Sequence, residues 1–267
     1  MEKPGETVLE FRNVSFAFAG RRARTEVLDR VSFACPDNEI TAVVGPSGCG
    51  KSTLLSLAAG LRQPAGGEIL VDGRAVAGPD RALGMLFQHS TLLPWRSVEE
   101  NVALGLEIRG VARAERQAKA RALIRQYGLG GFERKFPHAL SGGMQKRAGL
   151  IQLLAVEPQT LLLDEPFAAL DAQTRLVIED EVVKICRAGR RTALLVTHDI
   201  AEAISMADRV VVLTRRPAAV KAIFEVPLSR QATSIAEVQA MVEFTAYFRR
   251  VWDALEVSVP GLSEAAP

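Results

Sequence analysis

Gly45-Pro46-Ser47-Gly48-Cys49-Gly50-Lys51-Ser52 has the spacing of a loop that holds phosphate, G-x-x-x-x-G-K-[ST]. Its glycines let the backbone curl without a Cβ clash, so successive N–H groups turn toward phosphate oxygens. Lys51 is expected to reach the β- and γ-phosphates of a nucleoside triphosphate. Ser52 is expected to set its hydroxyl on Mg²⁺, and Thr53 to join the nucleotide contacts. A second group suits hydrolysis. Asp164 and Glu165 end the apolar run Leu161-Leu-Leu. There Asp164 would hold Mg²⁺ through its water shell while Glu165 polarises the attacking water. Gln88, after the short apolar run Met85-Leu-Phe87, would touch Mg²⁺ or that water. His198, after Thr197, would stand beside the γ-phosphate. Asp-Glu alone would read as an acidic turn, Gln88 alone as surface filler and His198 alone as structural; the upstream loop gives them a shared purpose.

Farther along, Ser141-Gly142-Gly143 precedes the helical pattern Met144 to Ile151. Ser141 is a helix cap, and the two glycines allow another surface to approach closely. That makes a second anion site at a helix N-terminus. Two such sites on a chain with one phosphate loop make sense if two chains face head to tail, each closing the other's nucleotide. Phe18 is placed to stack on adenine, with Phe16 as its competitor.

These groups need a scaffold. Ile40 to Val44 is apolar and β-branched, as a buried parallel strand should be, and Ser52 to Ala59 reads as a helix. Leu9 to Phe18 alternates as an antiparallel strand. Val27 to Phe33 and Ile69 to Val71 look like further strands, with a basic hairpin loop over Gly20 to Thr25. Leu161 to Glu165, Thr192 to Thr197 and Val210 to Leu213 read as buried strands, with a helix over Ala172 to Ala188. From about His89 to Glu157 the character is helical, and Gly128 stands where a helix over Ala112 to Tyr127 would be capped. Strand and helix patterns alternate, which favours a mostly parallel sheet with helices on both faces. In the tail, Ser234 to Glu237 has the form of a capping box. The apolar spacing from Ile235 through Leu255 predicts one amphipathic helix over about 235–256, packed on its own sheet lobe. Pro260 to Pro267 reads as disordered.

Composition narrows the field. A chain of 267 residues can bury a substantial core, and 48% hydrophobic with 24% charged residues is ordinary globular composition. A net charge of +2 argues against a nucleic-acid stripe. The clusters Arg21-Arg22-Ala-Arg24 and Arg187-Ala-Gly-Arg190-Arg191 read as solvated faces. No apolar run approaches the ~18 residues that cross a bilayer, and Met1 to Glu6 lacks an apolar signal core. Cys35, Cys49 and Cys186 suit a reducing cytosol and show no metal pattern. Cys49, inside the loop, is a place where an alkylating reagent would block nucleotide binding.

With these residues in place, the chain resembles the ATP-binding subunits of ATP-binding-cassette (ABC) transporters over about Leu9 to Leu213. Gly45 to Ser52 corresponds to Walker A, Gln88 to the Q-loop, Leu140 to Gln145 to the signature and Leu161 to Glu165 to Walker B. Ala168-Ala-Leu-Asp171 resembles the D-loop, and His198 the switch histidine. The resemblance implies an α/β fold of the P-loop NTPase (RecA-like) kind. Its mostly parallel sheet would carry an antiparallel β subdomain and an inserted α-helical subdomain over about 89–157. It implies a nucleotide-binding domain over 1–225 and a helical tail over 226–267. It also implies ATP and Mg²⁺ as ligands, with Ser141, Gly142, Gly143, Gln145 and Asp171 reaching a partner's nucleotide. Implied partners are a second ATP-binding subunit, transmembrane permease subunits and an external solute-binding protein, with no nucleic acid, at the cytoplasmic face of a membrane. Leu92 to Trp95 and Phe136-Pro-His138 would meet the permease. Gln88 to Trp95 looks most like importers of nitrate, sulfonate or taurine. The chain departs from the family in Lys146-Arg147 and Gln152-Leu-Leu154, in Phe18 for the usual Tyr, and in Gly149 inside a helix, where Gly costs ~1 kcal/mol against Ala. A soluble cassette protein acting on DNA or ribosomes would bring a coiled-coil insertion or two cassettes. A small-molecule kinase or GTPase would leave Leu140 to Gln145 and His198 without a purpose.

Overall fold

A computed structural model describes residues 7–19, 24–168 and 170–255. Met1 to Glu6, Gly20 to Ala23 and Pro260 to Pro267, and with them the leader, most of the hairpin loop and the far tail, lie outside the described residues. In chain order the elements are β1 (Thr7–Ala19), β2 (Arg24–Pro36), β3 (Ile40–Val44), α1 (Lys51–Ala58), β4 (Gly66–Val71), β5 (Arg74–Ala75) and β6 (Leu83–Leu86). The inserted lobe follows with α2 (Val98–Val102), α3 (Leu104–Ile108), α4 (Arg113–Gln126) and α5 (Gly142–Ala155). Then come β7 (Thr160–Asp164), α6 (Ala172–Ala188), β8 (Thr192–Thr197), α7 (Ile200–Met206), β9 (Arg209–Leu213) and β10 (Val220–Glu225). The chain closes with α8 (Leu228–Gln231), α9 (Ile235–Ala240) and α10 (Val242–Ala254).

The strands form two sheets. An antiparallel sheet runs β2-β1-β4-β5, and a larger one runs β10-β9-β3-β8-β7-β6. In the larger sheet all pairings from β9 to β6 are parallel, and β10 adds an antiparallel strand beside β9. β3, β7 and β8 are buried on both faces, so these strands read as unbroken apolar runs. Period-two alternation still sorts their side chains. Ile40, Ala42 and Val44 join Leu161, Leu163, Ala193 and Leu195 under α5, α6 and α7. Val43, Leu162, Leu194 and Val196 face α1 and the antiparallel sheet. The inserted lobe has its own core around Ile124, Leu129 and Ile151.

Gly149 has a packing reason. A Cβ there would sit 3.3 Å from the Leu86 side chain, so its absence brings α5 close to β6. From the other side, a Cβ on Gly84 would meet Leu153 at 2.4 Å and Pro158 at 2.7 Å.

The tail corrects one expectation. In place of a single helix over 235–256 there are two, broken where Met241 turns extended (φ −67°, ψ 142°). The break lets Ile235 and Val238 on α9, and Val251 on α10, all reach the core of the large sheet, while Val242, read as part of one stripe, is 89% exposed. The cap differs in detail. Ser234 Oγ accepts from Glu237 N, but the Glu237 carboxylate accepts from Thr233 rather than from Ser234. Arg187 is not part of a solvated face. It makes a two-pronged bond to buried Asp208, which also accepts from Arg230 Nε at 2.6 Å and from Ile40 N at 2.8 Å.

Candidate functional site

Each parallel strand of the large sheet delivers one group to the same end, as expected for the carboxyl ends of such a sheet. β3 leads into the phosphate loop and β6 into Gln88. β7 ends at Asp164 with Glu165 next, β8 leads into His198, and β9 leads into Arg216. Ser47, Gly48, Gly50, Lys51, Ser52, Thr53, Gln88, Glu165, His198 and Arg216 line one open cleft of about 450 Å³.

The loop is closed by its own chemistry. Gly50 has φ 127°, and a Cβ there would lie 2.7 Å from Val27 Cγ1, so only glycine fits. Lys51, first residue of α1, folds back so that Nζ donates to the carbonyls of Gly45 at 2.8 Å and Pro46 at 3.3 Å. Cys49 belongs to the loop through its backbone, yet its side chain is buried. A Cβ on Gly45 would lie 3.0 Å from its Sγ, and burial pushes the thiol up from its ordinary value. That corrects the expected sensitivity to alkylation: the thiol packs into the core, away from the cleft.

Across the cleft, Ser52 Oγ donates to Asp164 Oδ1 at 3.0 Å. Gln88 Nε2 donates to Glu165 Oε2 at 2.8 Å, and His198 Nδ1 lies 3.3 Å from Glu165 Oε1. Glu165 itself sits at φ 43°, a left-handed conformation uncommon for a non-glycine residue. Its N–H donates to Val196 O at 2.9 Å, which fixes that turn. Burial raises the Asp164 carboxyl above its ordinary value, and Glu165 adds to the rise; Ser52, Lys51 and Lys146 oppose it. The Asp164 carboxyl beside the Ser52 hydroxyl offers hard oxygen donors that suit Mg²⁺ bound partly by substrate phosphate.

The remaining candidates gather elsewhere. Ser141 caps α5, accepting from Met144 N at 3.3 Å. Asp171 caps α6, accepting from Thr174 N at 3.0 Å, and that bond holds its carboxyl below its ordinary value. Ser141, Gly143 and Asp171 line a second concavity of about 420 Å³ with Met144, Arg147 and Thr174. Gly142 begins α5 beside them. Gln145 spends its amide on the carbonyls of Pro137 at 3.0 Å and Leu140 at 3.4 Å. Within one chain, then, this group does not reach the phosphate cleft. Phe18, at the end of β1, lies edge-on to Phe16, with the Arg62 guanidinium 5.1 Å above its ring.

Sequence reasoning missed two cations. Lys146, noted only as a departure from the family, donates Nζ to the Gln88 carbonyl; burial lowers its pKa, while Asp164 and Glu165 act to raise it. Arg216 went unread, although a basic pair directly after the last buried parallel strand is a signal that strand-end logic could have caught.

Known proteins resemble this chain over most of its length. The profile of the family described as "ABC transporter" matches residues 28–168. An uncharacterized ABC transporter ATP-binding protein of Methanocaldococcus jannaschii is 42% identical over 251 residues, spanning 94% of this chain and 92% of that protein. The taurine import ATP-binding protein TauB of Rhizobium johnstonii is 43% identical over 235 residues, covering 88% and 90%. Among solved structures, a dimeric post-hydrolysis state of the ATP-binding cassette MJ0796 bound to ADP and Pi superposes with a TM-score of 0.75. It is 27% identical and covers 82% of this chain and 98% of that one.

Proposed function

The chain belongs to the ABC transporter family as an ATP-binding, ATP-hydrolysing subunit, and from that premise we propose that it powers import of a small solute such as taurine, a sulfonate or nitrate. The observation that carries the catalytic part is the Gln88–Glu165–His198 chain facing the Ser52–Asp164 pair across one phosphate cleft. Lys51, now bonded to loop carbonyls, swings to the β- and γ-phosphates and neutralises their charge. Mg²⁺ held by Ser52, Gln88 and Asp164 would add to that neutralisation. Glu165 orients water for attack on the γ-phosphorus. The bond to the bridging oxygen breaks, ADP leaves with that oxygen, and the water's proton passes to Glu165. His198 donates to the γ-phosphate. Glu165 now accepts from Gln88, so that contact must open before water can take its place.

The second concavity favours a head-to-tail dimer in which Ser141, Gly142, Gly143 and Asp171 of one chain close the nucleotide of the other. Phe18 would stack on adenine. Permease contact is assigned to the inserted lobe, where Trp95 is 70% exposed and Phe136 stacks on His138 with centroids 5.9 Å apart. No helix among the described residues is long and apolar enough to cross a membrane, so attachment at the cytoplasmic face would come through those subunits. Support for the cargo class is the naming of relatives as taurine import proteins. An external solute-binding protein completes the proposed system.

Glu165→Gln tests the reading. Turnover should fall by about 10²–10⁴-fold, the usual weight of a general base, while ATP still binds. Light scattering should then show an ATP-dependent dimer. A variant that stays monomeric with ATP yet hydrolyses it at the wild-type rate would sink the proposal.

A further inference from the structure

We propose that Arg216 is a nucleotide-binding residue, its guanidinium taking a phosphate oxygen of the bound triphosphate. The inference rests on the reading of the cleft as the ATP site. Arg216 stands on the loop between β9 and β10 and lines the same cleft as Lys51, Ser52, Glu165 and His198. One of its amino groups donates to the Gly48 carbonyl in the middle of the phosphate loop. No carboxylate pairs with it among the described residues, so its other N–H groups and its charge are uncommitted. The loop that carries it is held in place. Asp29 N donates to Ala218 O at 2.9 Å, and Ala218 N donates to Val27 O at 2.8 Å. Gly50 packs against the same Val27. Arg216 and the phosphate loop are therefore registered through one strand, β2. A planar cation anchored on one side, unpaired, and aimed into a cleft built from backbone N–H groups and a lysine is suited to a phosphate.

The test uses the full chain with Arg216→Ala, Arg216→Gln and Lys51→Ala. Dissociation constants for ATP are measured by calorimetry at low and moderate salt, with thermal melting as a check on folding. A charged hydrogen bond to phosphate predicts about a tenfold loss in both Arg216 variants. It also predicts a shallower dependence of ATP affinity on salt, because one cationic contact is gone. Arg216→Gln keeps a donor for the Gly48 carbonyl. If it restores wild-type affinity, or if the salt dependence is unchanged, Arg216 only props the loop and the proposal is overturned. If Lys51→Ala weakens ATP but neither Arg216 variant does, this inference fails alone. If Lys51→Ala also binds ATP normally, the reading of the cleft fails with it.

Discussion

Glu202 lies on α7, four residues past His198; its side chain is buried and one carboxyl oxygen has no hydrogen-bond partner. Burial first, then the neighbouring carboxylates Glu179 and Asp199, push it up from 4.5 to about 8, against a bond from Thr197 and the charge of Arg175. Glu179, on α6, is pushed up to about 7 by its own burial, with Asp180 and Asp199 adding to the rise and Arg175 opposing it. A raised carboxyl holds its proton in the folded chain where the unfolded chain has lost it. The stabilising protonation is therefore fully present below pH 4.5 and is lost as pH rises toward about 8. Each pH unit in that window removes ~1.36 kcal/mol for one such group, so Glu202 alone penalises folding by about 3 kcal/mol at pH 7. Glu202→Gln has the same shape and never ionises. Its stability relative to wild type should rise by about 2–4 kcal/mol between pH 5 and pH 8. Urea unfolding at both pH values, followed by circular dichroism, measures it. A difference that stays flat with pH would refute the reasoning, because loss of a contact alone carries no such dependence.

Gly84→Ala forces a methyl against Leu153 and Pro158 between β6 and α5. It should cost about 1–3 kcal/mol, read as a lowered melting temperature. Cys49 should react with iodoacetamide at least ~10-fold more slowly than a free thiol, with urea restoring the rate; fast reaction in the folded chain would contradict its burial. Asp208→Ala removes the buried carboxylate that Arg187, Arg230 and Ile40 N share. It should lower unfolding free energy by about 3 kcal/mol, near the lower end for a broken buried pair because Arg230 is half exposed.

What the sequence made legible followed from strong local constraint. Ile40 to Val44, the loop and the following helix appear where composition put them, because a buried parallel strand needs an apolar run and the loop needs glycine. The helix at Ala172–Ala188 begins after a capping Asp171, and Gly128 takes the positive φ that a helix end demands. β10 was missed because half its residues face solvent and its partner β9 is what makes it a strand. The break at Met241 was missed because helical spacing persists on both sides of it. The burial of Cys49 and the pairing of Arg187 with Asp208 depend on neighbours brought in by tertiary folding, which local pattern does not encode. The site candidates were each named from sequence, and the structure brings Lys51, Ser52, Gln88, Glu165 and His198 around one cleft. That Ser141 and the phosphate loop would serve different nucleotides was also legible, from two anion sites on a chain with one loop; where the second concavity sits was not, since it depends on how far the inserted lobe carries Ser141 from β3.

The order of strands bears on how this machine would move. β3, β8 and β7 each have a neighbour on both flanks, so the groups they present are fastened twice. β6 is one rim of the large sheet and, among the described residues, pairs with β7 alone, over Leu83 to Leu86. Gln88 hangs from that rim, next to the inserted lobe, and its carbonyl is tied to Lys146 on α5. A pull on the lobe would therefore act first on Gln88, which lies just past one four-residue ladder, and last on the groups that follow the doubly flanked strands.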